Sequence, residues 1–131
     1  VESMIIGIGV DVCDTGRVRD IIERRGDRWI QRLFTEAEAS RCRNPRRLHE
    51  CFAGRFAAKE ATLKALGTGL SNGIAWRDVE LVSGEAQPPR IALHRRAEEI
   101  ARMRGVTGSH VTISHDGGVA VAVVILMGEA P

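Results

Sequence analysis

RFAAKEATLK, residues 55–64, lies inside an alanine-rich run without proline that extends from about Arg46 to Leu66. Reading that run as one long helix decides the fold. Phe52, Phe56, Leu63 and Leu66 are expected to face a core, and Gly67 is placed to close the helix. Four of the ten residues are charged: Arg55, Lys59, Glu60 and Lys64. Arg55 and Lys59 share one helix face, and Glu60 and Lys64 share another, which is the spacing of ordinary surface ion pairs. Yet the neighbours Ala57, Ala58, Ala61 and Ala65 are small and apolar, so little of this helix is left for solvent. Three cations beside one acid also suit a polyanion. The cations neutralise phosphates, and a lone carboxylate holds a hard metal ion that bridges them. The Gly-Thr-Gly that follows, 67–69, can bring backbone N–H groups close to phosphate oxygens.

Upstream, MIIGIGVDV (4–12) alternates glycine with β-branched residues and reads as a buried first strand whose glycines permit close backbone approach. Asp14 or Thr15 caps a helix to about Arg25, with Val18, Ile21 and Ile22 as its apolar stripe and Gly26 as its stop. Trp29, Ile30 and Leu33 mark a further short turn or helix. Thr35 with Glu38 forms a capping-box pattern that opens another. Downstream, GTGLSNG (67–73) is a loop, and Val79–Val82 and Arg90–Leu93 are strands joined by a turn around SGEAQPP. Arg96–Arg104 is a helix ended by Gly105. HVTIS (110–114) and VAVAVVIL are strands, and Asp116-Gly117 between them signals a hairpin. Strands and helices mix without regular βαβ alternation, so the class is α+β with a largely antiparallel sheet.

At 131 residues, 44% hydrophobic and 27% charged, the chain is expected to form one globular domain over 1–131. Val1–Ser3, ahead of Met4, read as an expression remnant or a processed end. No apolar run approaches a membrane span, and no signal peptide is visible. Cys13, Cys42 and Cys51 fit no metal-ligand spacing. Their odd number argues against a disulfide framework, so inert, mostly buried thiols in a cytoplasmic chain are expected. Charge is unevenly spread. The segment from Arg17 to Arg47 holds ten arginines and five acids, giving it +5 against +2 for the whole chain. Such asymmetry suits an anionic partner, or simply an arginine-rich soluble surface. Nucleic acid is poorly supported, because aromatics are 4% of residues and tyrosine is absent.

Asp11, leaving a glycine-rich strand, fits a metal or substrate ligand and equally the cap of the next helix. His110 and His115 should point to opposite faces of their sheet, which excludes a shared zinc site. His115 stands at the strand end, where a loop exposes it. Ser114-His115-Asp116 is no catalytic triad, because adjacent strand residues diverge and no GxSxG elbow is present. Neither a phosphate-loop lysine motif nor a dinucleotide fingerprint occurs.

Taken together, GIGVD, RFAAKEATLKALGTG and HVTISHD resemble, in order and over nearly the whole chain, the holo-acyl-carrier-protein synthase group of 4'-phosphopantetheinyl transferases. The resemblance implies that family's α+β fold, a largely antiparallel sheet packed with one long helix and several shorter ones. It implies a Mg²⁺-dependent transfer of 4'-phosphopantetheine from coenzyme A to a serine of apo-acyl carrier protein, releasing 3',5'-ADP, in fatty acid biosynthesis. By the same resemblance Asp11 and Glu60 hold the metal, and Glu60 and Lys64 are catalytic. Arg55, Lys59, Lys64, Gly67 and His115 bind coenzyme A, and Arg17, Arg24 and Arg28 dock the acidic carrier. A homotrimer with active sites at subunit interfaces is implied as well. The base that takes the serine proton is left between Glu60, a metal-bound water and a carboxylate of the first helices. Other readings are a transferase dedicated to polyketide or peptide synthase carriers, and an arginine-rich nucleotide- or nucleic-acid-binding module without catalysis. One departure stands out: Ala86-Gln87-Pro88-Pro89 occupies the turn where the family often carries Asn-Gly-x-Pro.

Overall fold

The computed structural model describes residues 2–84 and 86–129. Val1, of the expected remnant, and Glu85, of the SGEAQPP turn, lie outside the described residues. In chain order the elements are β1 (Ser3–Asp14), α1 (Thr15–Arg25), α2 (Asp27–Leu33), α3 (Glu36–Arg41), α4 (Leu48–Leu66), β2 (Val79–Val82), β3 (Arg90–Leu93), α5 (Arg95–Met103), β4 (Val106–Asp116) and β5 (Val119–Glu129). All strand pairs are antiparallel, in a three-stranded sheet β1-β5-β4 and a separate ribbon β2-β3.

Local chemistry explains the boundaries. Asp14 caps α1 by accepting from the Gly16 N–H, and Gly26 ends it. Thr35 and Glu38 form the complete capping box at α3. Asp116 pairs with Val119, leaving Gly117-Gly118 as a two-residue hairpin loop; both glycines have positive φ (57° and 79°), as such tight turns require. β4 runs longer than expected, from Val106. A register shift between Val106 and Gly108 breaks the alternation that marks the rest of the strand.

Helix α4 lies across one face of the three-stranded sheet. A Cβ on Gly9 would stand 1.8 Å from the Ala61 carbonyl oxygen, and one on Gly7 would stand 2.0 Å from that of Ala65. Only glycine lets strand and helix backbones meet this closely. Ala57, Ala58, Ala61, Ala120, Ala122, Val124 and Leu126 are wholly buried, and Phe52, Leu63 and Leu66 join them as expected. Phe56 is half-buried, packed between Trp29 and Trp76. The other sheet face carries Ile8, Val10 and Val12, exposed by 60%, 51% and 58%, beside Ile125, Val123 and Val121 of β5.

One expectation is corrected here. Cys42 and Cys51 are joined by a disulfide, their Cα atoms 5.4 Å apart. Asn44-Pro45 folds the chain back between α3 and α4, bringing the end of one helix to the first turn of the next. Only Cys13 is the buried free thiol expected of all three. Among the described residues, no helix is long and apolar enough to cross a membrane.

Candidate active site

The four charges of residues 55–64 go to three different places. Lys59 goes inward. Its side chain is wholly buried, and its ammonium donates to Glu38 Oε1 at 2.7 Å and to the carbonyls of Trp76 (3.3 Å) and Val79. Glu38 is wholly buried too, and it also accepts from the backbone N–H groups of Thr35 and Leu81 at 3.0 and 3.1 Å. Burial pushes the Lys59 ammonium below the usual lysine range, while Glu38 pulls it back up. The ammonium expected to meet coenzyme A phosphates thus donates inside the protein, binding α4 to α3 and β2.

Glu60 and Lys64 meet Asp11. The inward-facing position of Asp11 on β1 places it against α4. Lys64 Nζ donates to the Val10 carbonyl at 3.1 Å and approaches Asp11 Oδ1 at 3.3 Å. Asp11 Oδ1 also accepts from the Val12 N–H, whereas Oδ2 is buried with no hydrogen-bond partner among the described residues. The Glu60 carboxyl is raised from 4.5 to about 7, first by burial, then by the neighbouring Asp11 carboxylate; Lys64 and Arg17 pull it down. The site thus holds two crowded carboxylates, one with an orphaned oxygen, and incomplete compensating charge. That donor set fits a hard divalent cation; among the described residues no cluster of three acidic, histidine or cysteine groups forms a metal site, and two carboxylates suit Mg²⁺, which keeps several waters. Arg17, at the start of α1, contributes to the same local field.

Arg55 and His115 form a second neighbourhood. Arg55 is 8% exposed; Nη1 donates to the Cys51 sulfur at 3.3 Å and Nη2 to Ser83 Oγ at 2.7 Å. His115 packs over Gly54, with Nε2 2.9 Å from the Glu50 carbonyl oxygen. Both line a cavity of about 500 Å³ with Arg41, Arg47, Ser83, Gln87 and Pro89. Arg41 holds the Ser83 carbonyl through Nε and Nη2 at 3.0 and 2.7 Å. Sequence reasoning missed Arg41, Arg47 and Ser83; the basic run RCRNPRR registered as net charge without a location. The departing residues Gln87 and Pro89 belong to this cavity. Register places His110 opposite Ile125 and His115 opposite Ala120, on opposite sheet faces as expected.

Gly67 ends α4 in the left-handed conformation, φ 79°. Its N–H bonds the carbonyls of Leu63 and Lys64 and closes the helix rather than remaining free. Arg24 and Arg28 line a groove of about 640 Å³ with Arg25 and Arg32, over a floor of Trp29, Phe56 and Trp76.

The chain is similar to known proteins over nearly its whole length. Residues 7–124 match the family model described as the 4'-phosphopantetheinyl transferase superfamily. The chain is 50% identical to the holo-[acyl-carrier-protein] synthase of Desulforudis audaxviator, covering 97% of this chain and 96% of that protein. Among solved structures, the holo-(acyl-carrier-protein) synthase of Bacillus anthracis in complex with CoA (3',5'-ADP) superposes with a TM-score of 0.77 at 32% identity, covering 96% of this chain and 99% of that one. The Helicobacter pylori holo-[acyl-carrier-protein] synthase in complex with coenzyme A gives 0.79 at 28%, over 91% and 98%. The family match over residues 7–124 and the 50% identity over 97% of the chain make this protein a member of the 4'-phosphopantetheinyl transferase superfamily.

Proposed function

We propose that this chain transfers the 4'-phosphopantetheine group of coenzyme A to a serine of an apo-acyl carrier protein in fatty acid biosynthesis, with Mg²⁺ held by Asp11 and Glu60. The observation that carries the reading is the Asp11–Glu60 pair with its orphaned oxygen beside Lys64. The serine oxygen forms a bond to the β-phosphorus of the pyrophosphate, and the bond to the α-phosphate oxygen breaks, releasing 3',5'-ADP. A bound Mg²⁺ supplies neutralisation of the charge that builds on the pyrophosphate. Lys64, more than half exposed beside Asp11, places a further positive charge for the leaving phosphate. Glu60 also takes the serine proton, directly or through a water. Arg55 and His115 hold the nucleotide end in their cavity.

The arginine groove supports the carrier assignment. Arg17, Arg24 and Arg28 present positive charge along α1 and into α2, and the aromatic floor between them accepts an apolar side chain from an acidic helix. The exposed row Ile8, Val10 and Val12 supports assembly into a homotrimer, since an apolar sheet face of this extent calls for a partner surface. Intact mass of an apo-carrier protein, after incubation with the enzyme, coenzyme A and MgCl₂, tests the function. One phosphopantetheine should be added, and Asp11→Ala or Glu60→Ala should reduce the rate by about 10³-fold or more. An unmodified carrier across a panel of fatty-acid, polyketide and peptide carriers contradicts the reading.

A further inference from the structure

The Cys42–Cys51 disulfide has no part in the transfer chemistry, yet it walls the cavity that holds Arg55 and His115. Cys42 ends α3 and is buried; Cys51 lies in the first turn of α4 and is half-buried. The bond closes the exposed segment 43–47, which carries Arg43, Arg46 and Arg47, into a short ring. Inside the ring, the Asn44 side chain and carbonyl accept from the Arg46 and Arg47 N–H groups, and two further features connect the bond to the cavity's arginines. Arg47, which precedes α4, gives that helix no side-chain cap. Arg55 rests one of its two hydrogen bonds on the Cys51 sulfur, and its Nε has no partner among the described residues.

We propose that the Cys42–Cys51 disulfide is a redox-controlled clasp on this cavity: closed, it fixes Arg47 and Arg55 for an anionic ligand; opened by a thiol, it releases them and weakens binding. The inference rests on reading the cavity as the nucleotide end of the coenzyme A site. A thiolate attacks the half-buried Cys51 sulfur and expels the Cys42 thiolate, which takes a proton. A second thiol then resolves the mixed disulfide. Two external thiols lose two electrons and two protons, and the two cysteines gain them. A small-molecule disulfide such as glutathione disulfide reverses the exchange. Cys13 stands aside, because it is buried on β1 away from the clasp.

Coenzyme A carries a thiol of its own, so the probe is 3',5'-ADP, which has none. Its Kd is measured by calorimetry on protein oxidised with glutathione disulfide and on protein reduced with a phosphine. Thiols counted in denaturant should rise from one to three. Reduction should raise the Kd about fivefold or more. A Cys42→Ser/Cys51→Ser variant with a native circular-dichroism spectrum should show the weaker Kd in both conditions. An unchanged Kd between the one-thiol and three-thiol states overturns the clasp, as do three thiols that glutathione disulfide leaves unoxidised. Absence of 3',5'-ADP binding in both states contradicts the coenzyme A reading instead. The clasp is then read by limited trypsin digestion, which should cut after Arg46 or Arg47 faster in reduced protein; equal cutting overturns it.

Discussion

Glu60 and Asp11 are two acids held where one charge is comfortable and two are not. In metal-free protein the Glu60 carboxyl is raised from 4.5 to about 7. Between these values the folded chain binds more protons than the unfolded one, so this group makes stability fall as pH rises from about 4.5 and level off above about 7. Urea midpoints in chelator across that range should show the decline, and Glu60→Gln should flatten it. A wild-type profile that matches Glu60→Gln at every pH would remove the crowded pair from the account. The same crowding predicts that Asp11→Ala melts no lower than wild type without metal, even though it loses the transfer. Asp11 could be picked out in the sequence as one of two things, ligand or cap. The structure removes the cap reading, because the capping is done by Asp14, and among the described residues Asp11 Oδ2 has no hydrogen-bond partner.

At the scale of the element, α4 is a core helix whose fully buried Lys59 is structural. Lys59→Ala leaves the Glu38 carboxylate uncompensated in a dry interior, an expected loss of about 3–5 kcal/mol by urea denaturation. A loss below about 1 kcal/mol would mean that water reaches Glu38. Most of the elements were legible: the glycine-spaced strand, a cap at Asp14 or Thr15 and one at Thr35, the Gly26 and Gly67 stops and a hairpin at Asp116-Gly117, whose loop proper is Gly117-Gly118, each follow from local chemistry. The fate of Lys59 was not. An Arg-Lys pair at helical spacing looks the same whether it faces water or core, and the deciding partner, Glu38, is 21 residues away. The disulfide escaped for a related reason. An odd cysteine count says nothing about two sulfurs that a helix break at Asn44-Pro45 brings together. Arg41 and Ser83, whose contact spans 42 residues, could be placed only by the packing of α3 against β2.

For the whole molecule, the proposed homotrimer rests on the outer sheet face. Ile8 is 60% exposed, in a row with Val10 and Val12 and away from the carboxylate pair. Ile8→Asp is expected to turn a trimer into monomers in sedimentation equilibrium while circular dichroism stays native. Wild-type protein that sediments as a monomer at every concentration contradicts the assembly. The central claim is narrower: one divalent ion joins the start of the chain to its long helix through Asp11 and Glu60. Anomalous diffraction from crystals soaked with coenzyme A and Mn²⁺ tests it most directly. The account predicts a single manganese peak within coordinating distance of both carboxylates and of the pyrophosphate. A manganese peak elsewhere, with those two side chains turned apart around a bound coenzyme A, would contradict it.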